Sequence, residues 1–132
     1  MKSLLLLLIC LSCFLGCATS YKPTGDGYSE FQLTKNSYLV MFSGNEYTSP
    51  KLVQEGFIKR SSELTLLNSF LCFQADSVST DSKSIIINEN LHAKYTTSGI
   101  ILMSNEACES KIDPNYILKD YSPYYILLKV NR

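Results

Sequence analysis

Apolar positions cluster along the chain in patterns that specify one helix and several strands. Tyr38, Leu39, Val40, Met41 and Phe42 form a short aromatic and aliphatic run. Lys35-Asn36-Ser37 and Ser43-Gly44-Asn45 bound it, which predicts a strand buried on at least one face. Ser49-Pro50 is a helix start: a serine hydroxyl caps free amides and proline takes the first position, where no hydrogen bond is lost. Val53, Phe57, Leu64 and Leu67 then recur at helical spacing, with Lys51, Gln54, Glu55, Lys59 and Glu63 on the other sides. The pattern predicts a helix of about eighteen residues, weakened locally by Gly56 and Ser61-Ser62 and ended by Asn68 as a left-handed terminator. Apolar segments at 70–75, 84–88, 100–103 and 124–130 are rich in isoleucine, valine and aromatics and predict further strands. The polar stretch 76–82 and the proline-bearing stretch 112–123 read as connections between them. The expected fold is α+β, one amphipathic helix packed on a small antiparallel or mixed sheet of four to five strands, in a single domain over residues 28–132.

The first residues have a different pattern. Met1 and Lys2 precede a stretch at 4–18 that is apolar or small throughout apart from Ser12. A bilayer-spanning helix needs roughly 20 apolar residues, whereas a secretory signal has a basic start, an apolar middle of about 7 to 15 residues and small residues at its cleavage point. Lys2, the leucines and Gly16 fill those three roles. Phe14-Leu15-Gly16-Cys17 ends the run with a small residue directly before a cysteine, and Ala18-Thr19-Ser20 then turns polar. This segment resembles the lipobox of bacterial lipoproteins, with Phe14 where leucine is usual and Leu15 where a smaller residue is usual. The resemblance implies a diacylglyceryl group on the Cys17 sulfur and cleavage of residues 1–16 as signal peptide. Cys13, preceded by Leu11-Ser12, is a second candidate, and an ordinary signal peptide or an uncleaved anchor helix is the alternative. Residues 17–27, with Pro23, Gly25 and Gly27, read as the lipidated amino terminus and a flexible tether. Ala18 after the cysteine suggests, in a cell with two membranes, the periplasmic side of the outer membrane.

Export bears on the remaining cysteines. Beyond the leader only Cys72 and Cys108 accompany Cys17. In an oxidising compartment they either bridge, with a stabilisation of roughly 3.5 to 4 kcal/mol from loop closure, or stay as two buried thiols. One histidine and no C-x-x-C spacing after the leader give no basis for a metal site, and no cofactor is expected. Twelve basic against twelve acidic residues give no electrostatic reason to expect a nucleic acid.

A second resemblance rests on Gly27-Tyr28-Ser29, on Tyr38, Val40 and Phe42, on Gly44-Asn45-Glu46-Tyr47-Thr48-Ser49, and on Arg60 with Glu63-Leu64. In this order and spacing, from Cys17 to about Ala75, the chain is similar to a family of small, uncharacterised proteobacterial envelope lipoproteins. Asn68-Ser69-Phe70 replaces that family's Asn-Gly and tyrosine. The resemblance implies an address and a fold, and no chemistry.

Gly44, Asn45, Tyr47, Thr48 and Ser49 are the best candidate recognition loop, because free amides of the following helix can hold an anion. A turn with a helix cap explains the same residues. Asp76 and Asp81 among hydroxyls lack the calcium-loop pattern and read as a solvated loop. His92 stands beside no nucleophile motif, and no G-x-S-x-G, H-E-x-x-H or phosphate-binding glycine loop occurs. Tyr116, Tyr121, Tyr124 and Tyr125 suit either a binding surface or strand edges. The expected function is therefore not an enzyme's. It is a membrane-anchored structural or accessory module for an envelope protein or a cell-wall component. The alternatives are an exported cell-wall hydrolase using a carboxylate such as Glu63 or Asp76, and an inhibitor or immunity-type lipoprotein.

Overall fold

In the computed structural model, which describes residue 21 and residues 26–119, seven elements follow one another. They are β1 (Tyr28–Thr34), β2 (Ser37–Ser43), α1 (Pro50–Leu67), β3 (Cys72–Ile87), β4 (Asn90–Ser104), a 3-10 turn (Cys108–Ser110) and α2 (Pro114–Leu118). One four-stranded sheet, in the order β1-β2-β4-β3, is antiparallel throughout. The α+β class stands. Cys17, the candidate Cys13 and the apolar segment 124–130 lie outside the described residues.

Helix α1 begins where Ser49-Pro50 places it: the Ser49 hydroxyl accepts from the Leu52 amide at 3.3 Å. Its end corrects the expectation for Asn68, which stays at φ −90° while Ser69 takes the left-handed turn at φ 62°. Asn68 acts through its side chain instead, donating from Nδ2 to the Leu64 carbonyl at 2.8 Å. Ser61 and Ser62 interrupt nothing, because their hydroxyls donate to the carbonyls of Phe57 and Ile58 at 2.8 and 2.9 Å while both residues are buried. The single apolar stripe is also corrected. Leu67 is exposed and every residue from Ser61 to Leu66 is buried, Glu63 among them, and Lys59 is buried too. The physical reason is that α1 is enclosed on more than one side, by the sheet and by α2.

Val40 and Phe42 of β2, Val53, Phe57 and Leu64 of α1, Phe73 of β3, and Ile101 and Met103 of β4 form the core. Gly56 lets the helix approach: a Cβ built there meets the Phe42 ring at 2.6 Å.

Residues 76–82 are not a connection. They continue β3 through a register shift between Asp76 and Ser79, so the predicted segments 70–75 and 84–88 belong largely to one strand of 16 residues. Ser77 at φ 52° is the residue that absorbs the shift. The described part of the other expected connection, residues 112–119, is likewise more than a linker. Ile112 exchanges backbone hydrogen bonds with Phe73 at 2.9 and 3.1 Å, α2 follows, and the Cys72–Cys108 disulfide ties the chain just before Ile112 to the start of β3.

β3 and β4 join through Asn88-Glu89, both at positive φ as a two-residue type I′ turn requires. β2 ends at Ser43 opposite Thr96, so residues 82–87 and 90–95 run on as a two-stranded ribbon.

Candidate functional site

The predicted recognition loop is brought together by its own residues. Asn45 Oδ1 accepts from the Tyr47 amide at 3.0 Å and from the Thr48 hydroxyl at 2.8 Å, and the Thr48 amide donates to the Asn45 carbonyl at 3.1 Å. Gly44 is buried, its amide donating to the Tyr95 carbonyl at 2.9 Å, and a Cβ there meets Thr48 at 2.6 Å. Ser49 is committed to the helix cap. The Tyr47 ring stands out into solvent, and the other side chains serve the turn and the cap, so the loop's local role is a turn and a cap.

Asp76 and Asp81 fall on either side of the β3 register shift and do not form one site. Asp76 accepts from the Ser77 amide at 2.8 Å. Asp81 lines an open cleft of about 360 Å³ with Asp26, Ser43, Lys83, Lys94 and Thr96. Lys83 and Lys94 face each other across the strands, and Asp26 pairs with Lys94 at 2.8 Å. His92 sits on the ribbon opposite Ile85. Among the described residues no group of three or more His, Cys, Asp or Glu is arranged to hold a metal.

Two arrangements were not visible in the sequence. The first surrounds Glu63, whose side chain is nearly closed off from solvent. Its Oε2 accepts from the Tyr21 hydroxyl at 2.5 Å and from Arg60 Nη1 at 3.0 Å. Arg60 also grips Glu30 of β1 with two donors, at 2.6 and 3.1 Å, the fork geometry that suits a carboxylate. The Tyr21 ring lies 4.9 Å from that of Tyr28 and is stacked at 5.9 Å from Phe42, with the Lys59 ammonium 3.8 Å from its centre. Arg60 lies over Tyr28 at 4.2 Å. Burial first, and then the Glu63 carboxylate, push the Tyr21 hydroxyl far above the usual phenol range. Burial alone lowers the Arg60 guanidinium, but its hydrogen bonds to Glu30 and Glu63 outweigh that and hold it charged. Burial lowers Lys59, with Glu63 opposing. The one sequence signal for this cluster is that Tyr28, Phe42, Arg60 and Glu63 all belong to the motifs quoted above. Tyr21 carries none, and it sits in the span read as a flexible tether. At the end of that span Gly27 accepts from the Ser43 amide at 2.8 Å and Asp26 holds Lys94, so its described residues are attached to the domain.

The second arrangement is the sheet face turned away from α1. Cross-strand register puts Phe31, Leu39 and Ile100 in one row, with Met41 and Leu102 in the rows beside it. Phe31 is 68 % exposed and Leu102 48 %. Ser29, Ser37 and Ser98 fill these rows on β1, β2 and β4, and on β3 the rows end at Gln74, Asp76 and Ser79, with Asp76 opposite Ile100. A shallow groove of about 220 Å³ runs between Phe31, Leu39 and Met41. On the ribbon, Ile86 and Leu91 pair across the strands at 76 % and 74 % exposure. Comparison with family models, with curated proteins and with solved structures finds no match to this chain.

Proposed function

We propose that this protein is a bacterial envelope lipoprotein, anchored through a lipidated Cys17, whose domain is an accessory module that holds another envelope component. The observation that carries the binding role is the apolar row Phe31-Leu39-Ile100, with Met41 and Leu102 beside it, on the sheet face that α1 leaves open. Large apolar side chains grouped on a surface mark interaction sites, since leaving them wet costs about 25 cal/mol per Å². The apolar surface, with Asp76 as the single charge closing its central row, suits a protein partner bound by burial more than by electrostatics. The address rests on the Lys2 start, the apolar run and Gly16-Cys17. Two or three acyl chains at about 0.8 kcal/mol per buried CH₂ hold a protein at a membrane durably.

The test is site-specific photo-crosslinking in the native host. A photoreactive side chain at Phe31 is expected to capture a discrete envelope partner, and one at Lys51, on the exposed side of α1, is expected to capture none. Equal yields at both positions, or none at Phe31, refute the binding face. Metabolic labelling with a fatty-acid analogue tests the anchor, and a Cys17→Ser protein that still takes label at normal level refutes the site.

A further inference from the structure

We infer that Tyr21 is a latch that fastens the amino-terminal segment onto α1 and so sets how far the domain stands from its membrane anchor. The height-setting part rests on the lipid anchor proposed above; the latch itself does not.

Tyr21 is held by four residues, three of which, Phe42, Lys59 and Glu63, are far from it in sequence. Its hydroxyl donates to Glu63 at 2.5 Å, its ring stacks on Phe42 and leans on Tyr28, and the Lys59 ammonium covers it at 3.8 Å. The socket is built independently of Tyr21. Glu63 is fixed by Arg60, Arg60 by Glu30 on β1, and the Phe42 ring by its close approach to Gly56. A phenol suits this socket better than any other side chain, because its ring fills an aromatic wall while its hydroxyl reaches a buried carboxylate. Docked, the chain from residue 17 to residue 21 spans at most roughly 14 Å; released as far as Asp26, which stays paired with Lys94, residues 17–26 reach roughly 31 Å. A latch at this point therefore decides between a domain kept against the membrane surface and one on a long lead.

Nitration of tyrosines in the purified full chain in detergent tests the latch, with the exposed Tyr47 and Tyr116 as internal references. Tyr21 is expected to react at least roughly tenfold more slowly than both, and to approach their rate in Glu63→Gln, which loses a charge-assisted hydrogen bond. Lys59→Met is a second variant that leaves the buried carboxylate in place and is expected to raise the Tyr21 rate severalfold. Equal rates for Tyr21 and the references in the unaltered protein overturn the latch. For the height, energy transfer is measured from a fluorophore at Val78 to acceptor lipids in phosphatidylethanolamine and phosphatidylglycerol vesicles. Tyr21→Ala is expected to lower the transfer. Unchanged transfer with a slowly nitrating Tyr21 overturns the height-setting role, and failure of the unaltered protein to associate with vesicles overturns the anchor on which that role depends.

Discussion

Replacing Gly56 with alanine sets two effects of opposite sign against each other. At an exposed helix position the change stabilises by about 1 kcal/mol, because alanine is the better helix former. Gly56 is buried against β2, however, and the added Cβ meets three carbons of the Phe42 ring at 2.6 to 2.7 Å. Relief requires roughly 1 Å of movement to reach ordinary carbon–carbon contact. The ring is 4 % exposed and has Tyr21 stacked against it, so it has little space to move. Overpacking of a filled core costs about 1 to 3 kcal/mol. With the contact spread over three ring atoms the cost falls in the upper part of that range, and after the propensity gain the expected net loss is about 1–2 kcal/mol. Urea unfolding followed by circular dichroism measures it, with Lys51→Ala on the exposed side of α1 as a control expected within about 0.5 kcal/mol of the parent. Combining Gly56→Ala with Phe42→Leu is expected to cost less than the two single changes added together, since the smaller side chain removes the clash. A Gly56→Ala protein more stable than its parent refutes the reasoning.

Breaking the Cys72–Cys108 bond removes a cross-link across a sequence separation of 36, which corresponds to about 4 kcal/mol in the chain-entropy relation; unfolding midpoints with and without reductant measure it, and an unchanged midpoint counts against the bond's role. Glu89→Gly relieves a positive φ of 66° in the Asn88-Glu89 turn and is expected to stabilise by about 0.5–1 kcal/mol, read from the same unfolding curves. Because the folded state raises the Tyr21 pKa, the contribution of this group is complete below the ordinary phenol value of about 10 and declines above it, by about 1.4 kcal/mol per pH unit until Tyr21 undocks. Stability is therefore expected to fall more steeply above pH 10 in the parent than in Tyr21→Phe, and parallel profiles contradict the buried hydrogen bond.

The parts of the fold that were legible are those whose residues have local reasons to be where they are. Ser49-Pro50 placed the start of α1, and the run at 38–42 placed β2. β1 went unread because Phe31 and Leu33 point to solvent on an edge strand, so no buried alternation marks it. The middle of β3 looked like a loop for a related reason. Its outer face is open, and on the helix side it meets hydroxyls, Thr80 bonding to Thr97 at 2.9 Å, so strand pairing there is maintained without apolar residues. The disulfide stood as one of two open alternatives, which only spatial proximity decides. The Tyr21 socket was beyond reach because it joins residues 42 positions apart through charge and hydrogen bonding, neither of which has a periodic signature. Lys59 and Glu63 were assigned to the wet side of the helix by their charge. They are buried because the cluster supplies each with partners of opposite sign or with an aromatic ring.

Mass spectrometry of the protein purified from its host membranes tests the central claim most directly. The account predicts a mature chain beginning at Cys17, with residues 1–16 absent and a diacylglyceryl thioether on that cysteine. A chain that retains residues 1–16, or that carries an unmodified Cys17, contradicts it.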